Sequence, residues 1–463
     1  MNVQMAAPAV AYDPHYDPLV SDGPGRNRDY APTYWIATAG VPPETDGPIV
    51  ADTDADVAII GSGYTGLACA IFLAREFGIK ATVLEANRVA WGCSTRNGGQ
   101  AQNAAGRLTR SQWIARWGVD VARRMHAEIE DGFATFEELV RQSPIDCEPQ
   151  PGGHLYVAHR RRSLEKIAAE SKVLNDVFGD ATRVLSREEV RRDFVADAEA
   201  VGAVHEPRGI GVHPAKLAFG YLKMARELGA SVHPASPVLH IEPRGGRFFL
   251  KTPDGTVQAR AVAIATGAYT SLGLTPVLQR RCMPILSNSI VTRPLTAAEL
   301  EATGFRTRQV ITDTRTLRFY YRLLPDNRIQ IGSRSAITGA DATHPKHLHL
   351  LIDGLNRKFP SLRGIEIDYS WWGWVDVSHD MMPRIFRPDP KQALVYALGY
   401  GGNGVSYSAQ AGRRMAQMIA GKTFTGQDLP IFTSPLPGHP FAPFRRLGQR
   451  MLYGWYHLRD EAA

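Results

Sequence analysis

The fold is decided by Asp56-Val57-Ala58-Ile59-Ile60-Gly61-Ser62-Gly63-Tyr64-Thr65-Gly66-Leu67. Its first five residues form a short apolar run, the pattern of a strand buried on both faces of a parallel sheet. Leu67 to Arg75 then reads as a helix, and Ala81-Thr82-Val83-Leu84-Glu85 as the next strand. Between strand and helix each glycine has its own reason. Gly61 permits the tight turn, Gly63 lets backbone approach a pyrophosphate, and Gly66 allows the helix to pack closely on the strand. The helix N-terminus favours the anion. Glu85 stands nineteen residues past Gly66, where a carboxylate can accept hydrogen bonds from a ribose diol. The spacing predicts a dinucleotide site.

Two further glycine-rich loops narrow the choice of dinucleotide. Trp91-Gly92-Cys93-Ser94-Thr95-Arg96-Asn97-Gly98-Gly99-Gln100 offers hydroxyls, a guanidinium and backbone N–H groups to a second phosphate region. Near the C-terminus, the strand Ala393 to Leu398 runs into Gly399-Tyr400-Gly401-Gly402-Asn403-Gly404-Val405 and a helix to Ile419. A helix N-terminus beside a flavin ring stabilises the negative charge that reduction places near N1 and O2. A nicotinamide dehydrogenase needs neither loop, so FAD is the expected cofactor. The buried strand Ala261 to Ala265, ending at Thr266-Gly267-Ala268, is a further piece of the same fold. Nucleotide-fold pieces thus stand at the start, middle and end, with strand-rich material between them, so the domains interleave.

In this combination and order the chain resembles the FAD-dependent oxidoreductases of the D-amino acid oxidase and glycine oxidase type, most of all the gamma-glutamylputrescine oxidase branch. The residues that carry the resemblance are Ala55 to Leu67, Ser94 to Gln100, Ala265 to Tyr269, Tyr320-Tyr321-Arg322-Leu323, Asp380-Met381-Met382-Pro383 and Gly399 to Val405, within roughly 34–421. It implies an α/β fold: an FAD-binding Rossmann-like domain of the glutathione reductase type, interleaved with an α+β substrate domain built on an antiparallel sheet. The expected borders are an N-terminal arm at 1–51, the FAD domain at 52–109, 205–282 and 375–424, and the substrate domain at 110–204 and 283–374. An amphipathic tail at 425–463 completes the chain. By the resemblance Tyr64, Thr65, Glu85, Cys93, Ser94, Gly98, Gly99 and Gln100 line a non-covalent FAD. Val238 offers backbone to the adenine, and Gly401, Gly402, Asn403, Gly404, Val405 and Ser406 follow the flavin's pyrimidine edge. Gly61, Gly63, Gly66, Arg96, Asn97 and Gly267 complete the expected cofactor set. No metal ligands are expected.

The implied reaction is hydride transfer from the carbon beside a substrate nitrogen to flavin N5, giving an imine that hydrolyses to a carbonyl compound and an amine. The reacting nitrogen must be neutral, so a pocket that disfavours ammonium helps. Family members acting on simple amino acids carry an arginine where this chain has Leu324. That departure argues against a small α-amino acid and leaves room, within amine or amino-acid-like substrates, for a polyamine or a gamma-glutamylated amine. Tyr320 and Arg322, on one face of their strand, and Asn403 are the expected substrate-orienting residues; Tyr321 should face the core. His379 is read as structural before catalytic, the tryptophans Trp371, Trp372 and Trp374 as a packed seam, and Cys282 as a small core residue. The partners are a small-molecule amine and O2 or another electron acceptor.

Composition limits the alternatives. In 463 residues, 44% hydrophobic and 21% charged side chains are ordinary for a globular protein and exclude disorder and coiled coil. Cys69, Cys93, Cys147 and Cys282 form no C-x-x-C pair, which argues against a zinc site or a disulfide framework. The formal charge of +7 is spread along the chain except at Arg160-Arg161-Arg162, and no nucleic-acid motif accompanies it. The N-terminus lacks a signal-peptide pattern, and the expected location is cytoplasmic. In the tail, Phe441, Phe444, Leu447, Met451, Leu452, Trp455 and Leu458 alternate with Arg445, Arg446, Arg450 and Arg459. Docking of the apolar face on the body is the first reading. Shallow membrane contact, by a flavin deaminase or dehydrogenase passing electrons to a quinone, is the alternative. A nicotinamide-dependent dehydrogenase and a non-catalytic dinucleotide-binding protein rank below both.

Overall fold

In the computed structural model, which describes residues 9–439 and 441–461, Thr53–Ile60 is a strand with its last four residues buried. It lies parallel between Ala81–Leu84 and Thr256–Ile264. The sheet runs Arg384–Phe386, Leu394–Leu398, Thr256–Ile264, Thr53–Ile60, Ala81–Leu84, Ser231–His233, with Arg247–Lys251 and His240–Arg244 added as an antiparallel extension. Both faces are covered, which is why the central strands are continuous apolar runs. Helix Tyr64–Phe77 starts directly after Gly63 and stops at Gly78, whose φ of +67° is left-handed. Helices Pro214–Glu227 and Gly404–Ile419 share its core, where Leu67, Ile71, Val83, Leu217, Tyr221, Tyr407 and Met415 are buried together.

The second sheet runs Ile367–Val377, Met283–Thr292, Ile329–Ser333, Tyr320–Leu323, Val310–Asp313, His154–Ala158, Gly202–Glu206, Arg183–Ser186. It is antiparallel except where Val310–Asp313 pairs parallel with His154–Val157. Helix Pro345–Lys358 covers it and buries Leu351 and Leu355 with Tyr321 and Ile331. The α/β reading and the interleaving of two sheet domains hold.

The borders differ from those expected in three places. Helices Arg110–Trp117 and Val119–Gln142, expected in the substrate domain, bury Trp113, Met125, Ile129, Phe133 and Phe136 in the core of the dinucleotide fold. Their heptad-like apolar face is read equally well by either domain from sequence, and the matching face of Gly404–Ile419 decides it. The strands Gly202–Glu206 and Ile367–Val377 belong wholly to the second sheet, so the breaks expected at 205 and 375 fall inside strands. The arm is also more than a cover. Residues 1–8 lie outside the described residues, but Tyr34–Thr38 is a helix capped by the Thr33 hydroxyl. Trp35 Nε1 donates to Asn97 O at 2.8 Å, while Tyr16 O and Pro14 O accept from Trp374 Nε1 and Trp372 Nε1.

The tail helix Arg445–Glu461 docks with its polar side inward. Arg446, Gln449, Tyr453 and Asp460 face the body, with Arg446 donating to Asp17 Oδ1 at 2.7 Å and Asp460 accepting from Thr316 N at 2.6 Å. Phe441, Phe444, Leu447, Met451, Leu452, Trp455 and Leu458 point outward, the reverse of the expected docking. Among the described residues no helix is long and apolar enough to cross a membrane.

Candidate active site

A cavity runs between the two sheets along the carboxyl ends of the parallel strands. That is where an open α/β sheet leaves a crevice for a nucleotide. At one end it is lined by Gly61, Gly63, Glu85, Pro237 and Val238; at the other by Tyr320, Arg107, Arg318, Arg334 and Asn403. Gly61 has φ +100°, and a Cβ there would lie 2.7 Å from Ala265 O. Gly63 caps helix Tyr64–Phe77 without a side-chain cap, leaving first-turn N–H groups after Tyr64 to the cavity. Ser94 Oγ accepts from Tyr64 N at 3.1 Å and joins the Cys93–Thr95 turn to that helix start. Glu85 accepts from Ser62 N (3.1 Å), Ser62 Oγ (2.7 Å) and Asn87 N (3.1 Å), and burial pushes its carboxyl up. These bonds fix the carboxylate yet leave lone pairs for further donors.

Of the expected cofactor residues, Gly61, Gly63, Tyr64, Thr65, Glu85, Cys93, Ser94, Arg96, Asn97, Gly98, Gln100, Val238, Gly267, Gly402, Asn403, Gly404 and Val405 line the cavity. Gly66, Gly99, Gly401 and Ser406 do not. A Cβ on Gly66 would collide with Gly61 O, so this glycine serves helix–strand contact. Gly99 (φ +65°) lies under Val212 O, and Ser406 Oγ is spent on Gln102 O at 2.6 Å. Gly401 sits behind the lining, its N–H donating to Asp376 O at 2.7 Å. Arg96 lies 4.2 Å over the Trp91 ring, with Tyr12 and Tyr269 alongside, so aromatic faces hold its charge.

The substrate-side expectation is corrected at Arg322. This arginine is 1% exposed and outside the cavity, donating to Gln150 Oε1 (2.7 Å) and Val212 O (2.6 Å) beneath the Trp35 ring. It shares a strand face with Tyr320, as expected, but that face runs under the backbone of Gly99 and Gly211, which shut it off. Burial lowers its pKa to about 10. Tyr320 does line the cavity; its ring packs on Gly98, and its hydroxyl bonds Ser287 Oγ and Ser289 Oγ, each at 2.9 Å. Asn403 lines it too, held by a bond from Nδ2 to Gly106 O. Tyr321 is buried on the other face and donates to Asp197. His379 lies outside, edge-on to His439 at 5.2 Å. Trp371 and Trp372 pack the seam, while Trp374 also walls the cavity.

Four lining residues escape sequence reading. Arg107, Arg318 and Arg334 come from three separated segments with no motif around them. Asp376 follows the aromatic run Trp371 to Trp374, which draws attention to packing and away from the carboxylate. Its Oδ2 accepts from Gly399 N at 2.5 Å, its Oδ1 is buried without a partner, and burial pushes its pKa up to about 6.

The cavity fits FAD. Arg96 Nη2, Gln100 Oε1 and Asp376 Oδ1, all on lining residues, are buried without hydrogen-bond partners. A long ligand carrying both donors and acceptors resolves such orphans. Elsewhere, His126, Glu130 and Asp180 bring potential ligand atoms within 4.8 Å of one another. Arg110 Nε donates to His126 Nδ1 at 3.1 Å, so the ring proton sits on Nε2 and the ring has no free lone pair for an ion.

Comparison with known proteins agrees with this geometry. The family model described as FAD dependent oxidoreductase matches residues 56–418. Gamma-glutamylputrescine oxidoreductase of Escherichia coli is 31% identical, over 88% of this chain and 92% of its own length. Glycine oxidase of Bacillus subtilis is 24% identical, over 79% of this chain and 93% of its own length. Among solved structures, glycine oxidase from Geobacillus kaustophilus superposes with a TM-score of 0.68 at 20% identity, covering 82% of this chain and 99% of that one.

Proposed function

The chain belongs to the FAD dependent oxidoreductase family and acts on amine or amino-acid-like substrates, and from that premise we propose that it oxidises a substrate CH–N bond to an imine, which water hydrolyses to a carbonyl compound and an amine. Bound FAD supplies the hydride acceptor. The residues supply position and field. Gly61, Gly63 and the start of helix Tyr64–Phe77 would hold the pyrophosphate, and Glu85 the ribose beside it. The N-terminus of helix Gly404–Ile419, at Asn403 and Gly404 on the cavity wall, would offer its positive end to the flavin. Tyr320, which burial keeps protonated, and Asn403 orient the substrate. Arg107, Arg318 and Arg334 raise the local positive potential, which favours the neutral, reactive amine over ammonium.

The observation that carries this reading is the single cavity joining a dinucleotide cradle to a polar pocket on the second sheet. The test is anaerobic mixing of the yellow, flavin-loaded protein with a panel of primary and secondary amines. Bleaching of the flavin band is expected, and its return on admitting air marks an oxidase. If no amine bleaches a fully loaded flavin, the reading is wrong although the fold stands.

The tail supports a second reading, a membrane-associated dehydrogenase passing electrons to a quinone. Phe441 (74% exposed), Met451 (70%) and Trp455 (59%) form an outward apolar stripe with Arg450 and Arg459 also exposed, a composition suited to an anionic lipid surface. Co-sedimentation with phosphatidylserine vesicles, lost in Met451→Ser/Trp455→Ser, supports it; absence of vesicle binding removes it.

A further inference from the structure

A short polar chain crosses from the cofactor cavity to a wide vestibule of about 1620 Å³ beside it. Thr312 lines the cavity next to Tyr320, its neighbour across the strand pair, while His154 and Glu206 line the vestibule. The three stand on adjacent strands of the second sheet, Val310–Asp313, His154–Ala158 and Gly202–Glu206. Their side chains share one face, because the alternate residues Leu155 and Ile311 go to the helix-covered core. Thr312 Oγ1 lies 2.7 Å from His154 Nε2, and His154 Nδ1 lies 2.9 Å from Glu206 Oε2. An ionised carboxylate only accepts, so the ring proton sits on Nδ1 and Nε2 accepts from the Thr312 hydroxyl. The lone pairs of Thr312 Oγ1 are then left for a donor in the cavity.

The charges around this chain favour a proton moving toward the vestibule. Burial opposes ionisation of Glu206, yet the charge and hydrogen bond of His154, with Arg110 beyond, hold its carboxyl below the usual range. Glu130, Glu170 and Asp180 line the same vestibule. The groups facing His154 are Glu206 from the next strand, with Arg110 and Asp180 behind it, and Tyr156 from its own strand, stacked at 5.8 Å. Arg318 lies 5.5 Å over the far ring, that of Tyr156. The direct opening between the two spaces is lined by Arg107 and Arg318, with Gln102 and Asn403, so a proton leaving that way passes two guanidiniums. The path through His154 ends on carboxylates. By contrast His213, also buried and bonded to a threonine, accepts from Lys216 N at its second nitrogen and lies outside the cavity.

We propose that Thr312, His154 and Glu206 form a proton relay that takes a proton from the substrate ammonium in the cavity and delivers it to the vestibule. The relay rests on the amine-oxidation reading, which requires a neutral nitrogen and therefore an exit for its proton. An amine arriving as R–NH3+ donates to Thr312 Oγ1. As that N–H bond breaks, a new O–H bond forms on Oγ1 and the original hydroxyl proton moves to His154 Nε2. The amine becomes neutral and the ring an imidazolium, whose charge Glu206 balances. Loss of a proton through Glu206 to vestibule water returns the ring to neutral. No electrons move, and nothing else is consumed. Only the Thr312 hydroxyl meets the substrate; His154 and Glu206 act through it.

Two measurements on flavin-loaded protein test the relay. In the first, the amine of the panel that bleaches fastest is mixed anaerobically from pH 7 up to that amine's own pKa in water. At pH 7 Thr312→Val and His154→Gln should each slow bleaching about tenfold or more with unchanged flavin content, and Thr312→Ser should recover most of the rate. At the amine's own pKa half of it arrives neutral and needs no relay, so the gap should close to within about threefold. A purely structural role would slow bleaching alike at every pH. In the second, 15N-histidine spectra, assigned by the signal lost in His154→Gln, should show the His154 proton on Nδ1 at pH 8 and a shift at Nε2 in Thr312→Val. A gap constant with pH, bleaching of Thr312→Val at the wild-type rate, a His154 proton on Nε2, or an Nε2 signal unmoved in Thr312→Val overturns the relay. If no amine bleaches the wild-type flavin while the His154 signals behave as expected, the oxidation reading fails and the proton path stands.

Discussion

The two ends of the cavity are built by different means. At the dinucleotide end the contacts come from backbone: Gly61 turns with φ +100°, Gly63 opens a helix N-terminus, and Glu85 is fixed by Ser62 and Asn87 nearby in the chain. At the reacting end they come from side chains at 107, 318, 320, 334 and 403, which the second sheet and two loops bring together. A backbone cradle tolerates almost no added atom, since no rotamer relieves a Cβ. A side-chain pocket tolerates substitution and changes what it binds. The first end is therefore constrained by geometry and the second by chemistry.

The sharpest way to break that contrast is Gly66→Ala. Its Cβ would meet Gly61 O and lie 3.1 Å from Gly61 C and 3.3 Å from Ile59 Cγ2, so helix and strand must separate. Overpacking against backbone costs several kcal/mol. The variant should purify with less than a tenth of the wild-type flavin, read from the ratio of flavin to protein absorbance, and with a lower melting temperature. Full flavin occupancy would show that the cradle has slack.

Arg322→Ala is next in size and divides a structural arginine from the pocket arginines four and twelve positions away. Its loss leaves Gln150 Oε1 and Val212 O without their buried donor. A cost of about 1–3 kcal/mol for each buried acceptor left unpaired is expected in urea unfolding, with KM for the best amine unchanged within about twofold. A tenfold rise in KM at unaltered stability would return Arg322 to the substrate site.

The same contrast explains what could be read from sequence. The strand, glycine turn and helix at 56–75 are a local pattern, and seventeen expected cofactor positions line the cavity. Gly66 serves the close helix–strand packing that its place in the turn implies, whereas Gly99, expected on the cofactor lining, lies under Val212 O. Strand alternation correctly put Tyr320 and Arg322 on one face and Tyr321 on the other; it contains nothing about which part of that face lies under Gly99 and Gly211. The arginines at 107, 318 and 334 converge only through tertiary structure. The tail helix shows the limit most plainly. Its amphipathic pattern is real, yet Asp17 and Thr316, remote in sequence, offer its polar side better partners than the body offers its apolar side.

Asp376, on the cavity wall beside the Gly399 turn, carries the smallest effect. Burial lifts its carboxyl from 3.8 to about 6, because only Gly399 N compensates the charge on the folded side. Below pH 3.8 the group is protonated whether the chain is folded or not, so it costs nothing. Between 3.8 and 6 the unfolded chain releases a proton that the folded chain keeps, and stability falls as pH rises. Above 6 the loss is complete, about 2–3 kcal/mol for a shift of this size. Asp376→Asn keeps an acceptor for Gly399 N and removes the titration. The variant should therefore gain stability over the wild type as pH rises from 4.5 to 7, by up to about 2–3 kcal/mol, and hold that gain to pH 8. Thermal melts of the flavin-free pair across this range measure it. A difference that varies with pH in the flavin-free pair and is flat in the flavin-loaded pair would mean that the bound cofactor gives Asp376 Oδ1 the donor it lacks in the protein alone; a difference flat with pH in the flavin-free pair would remove the titration.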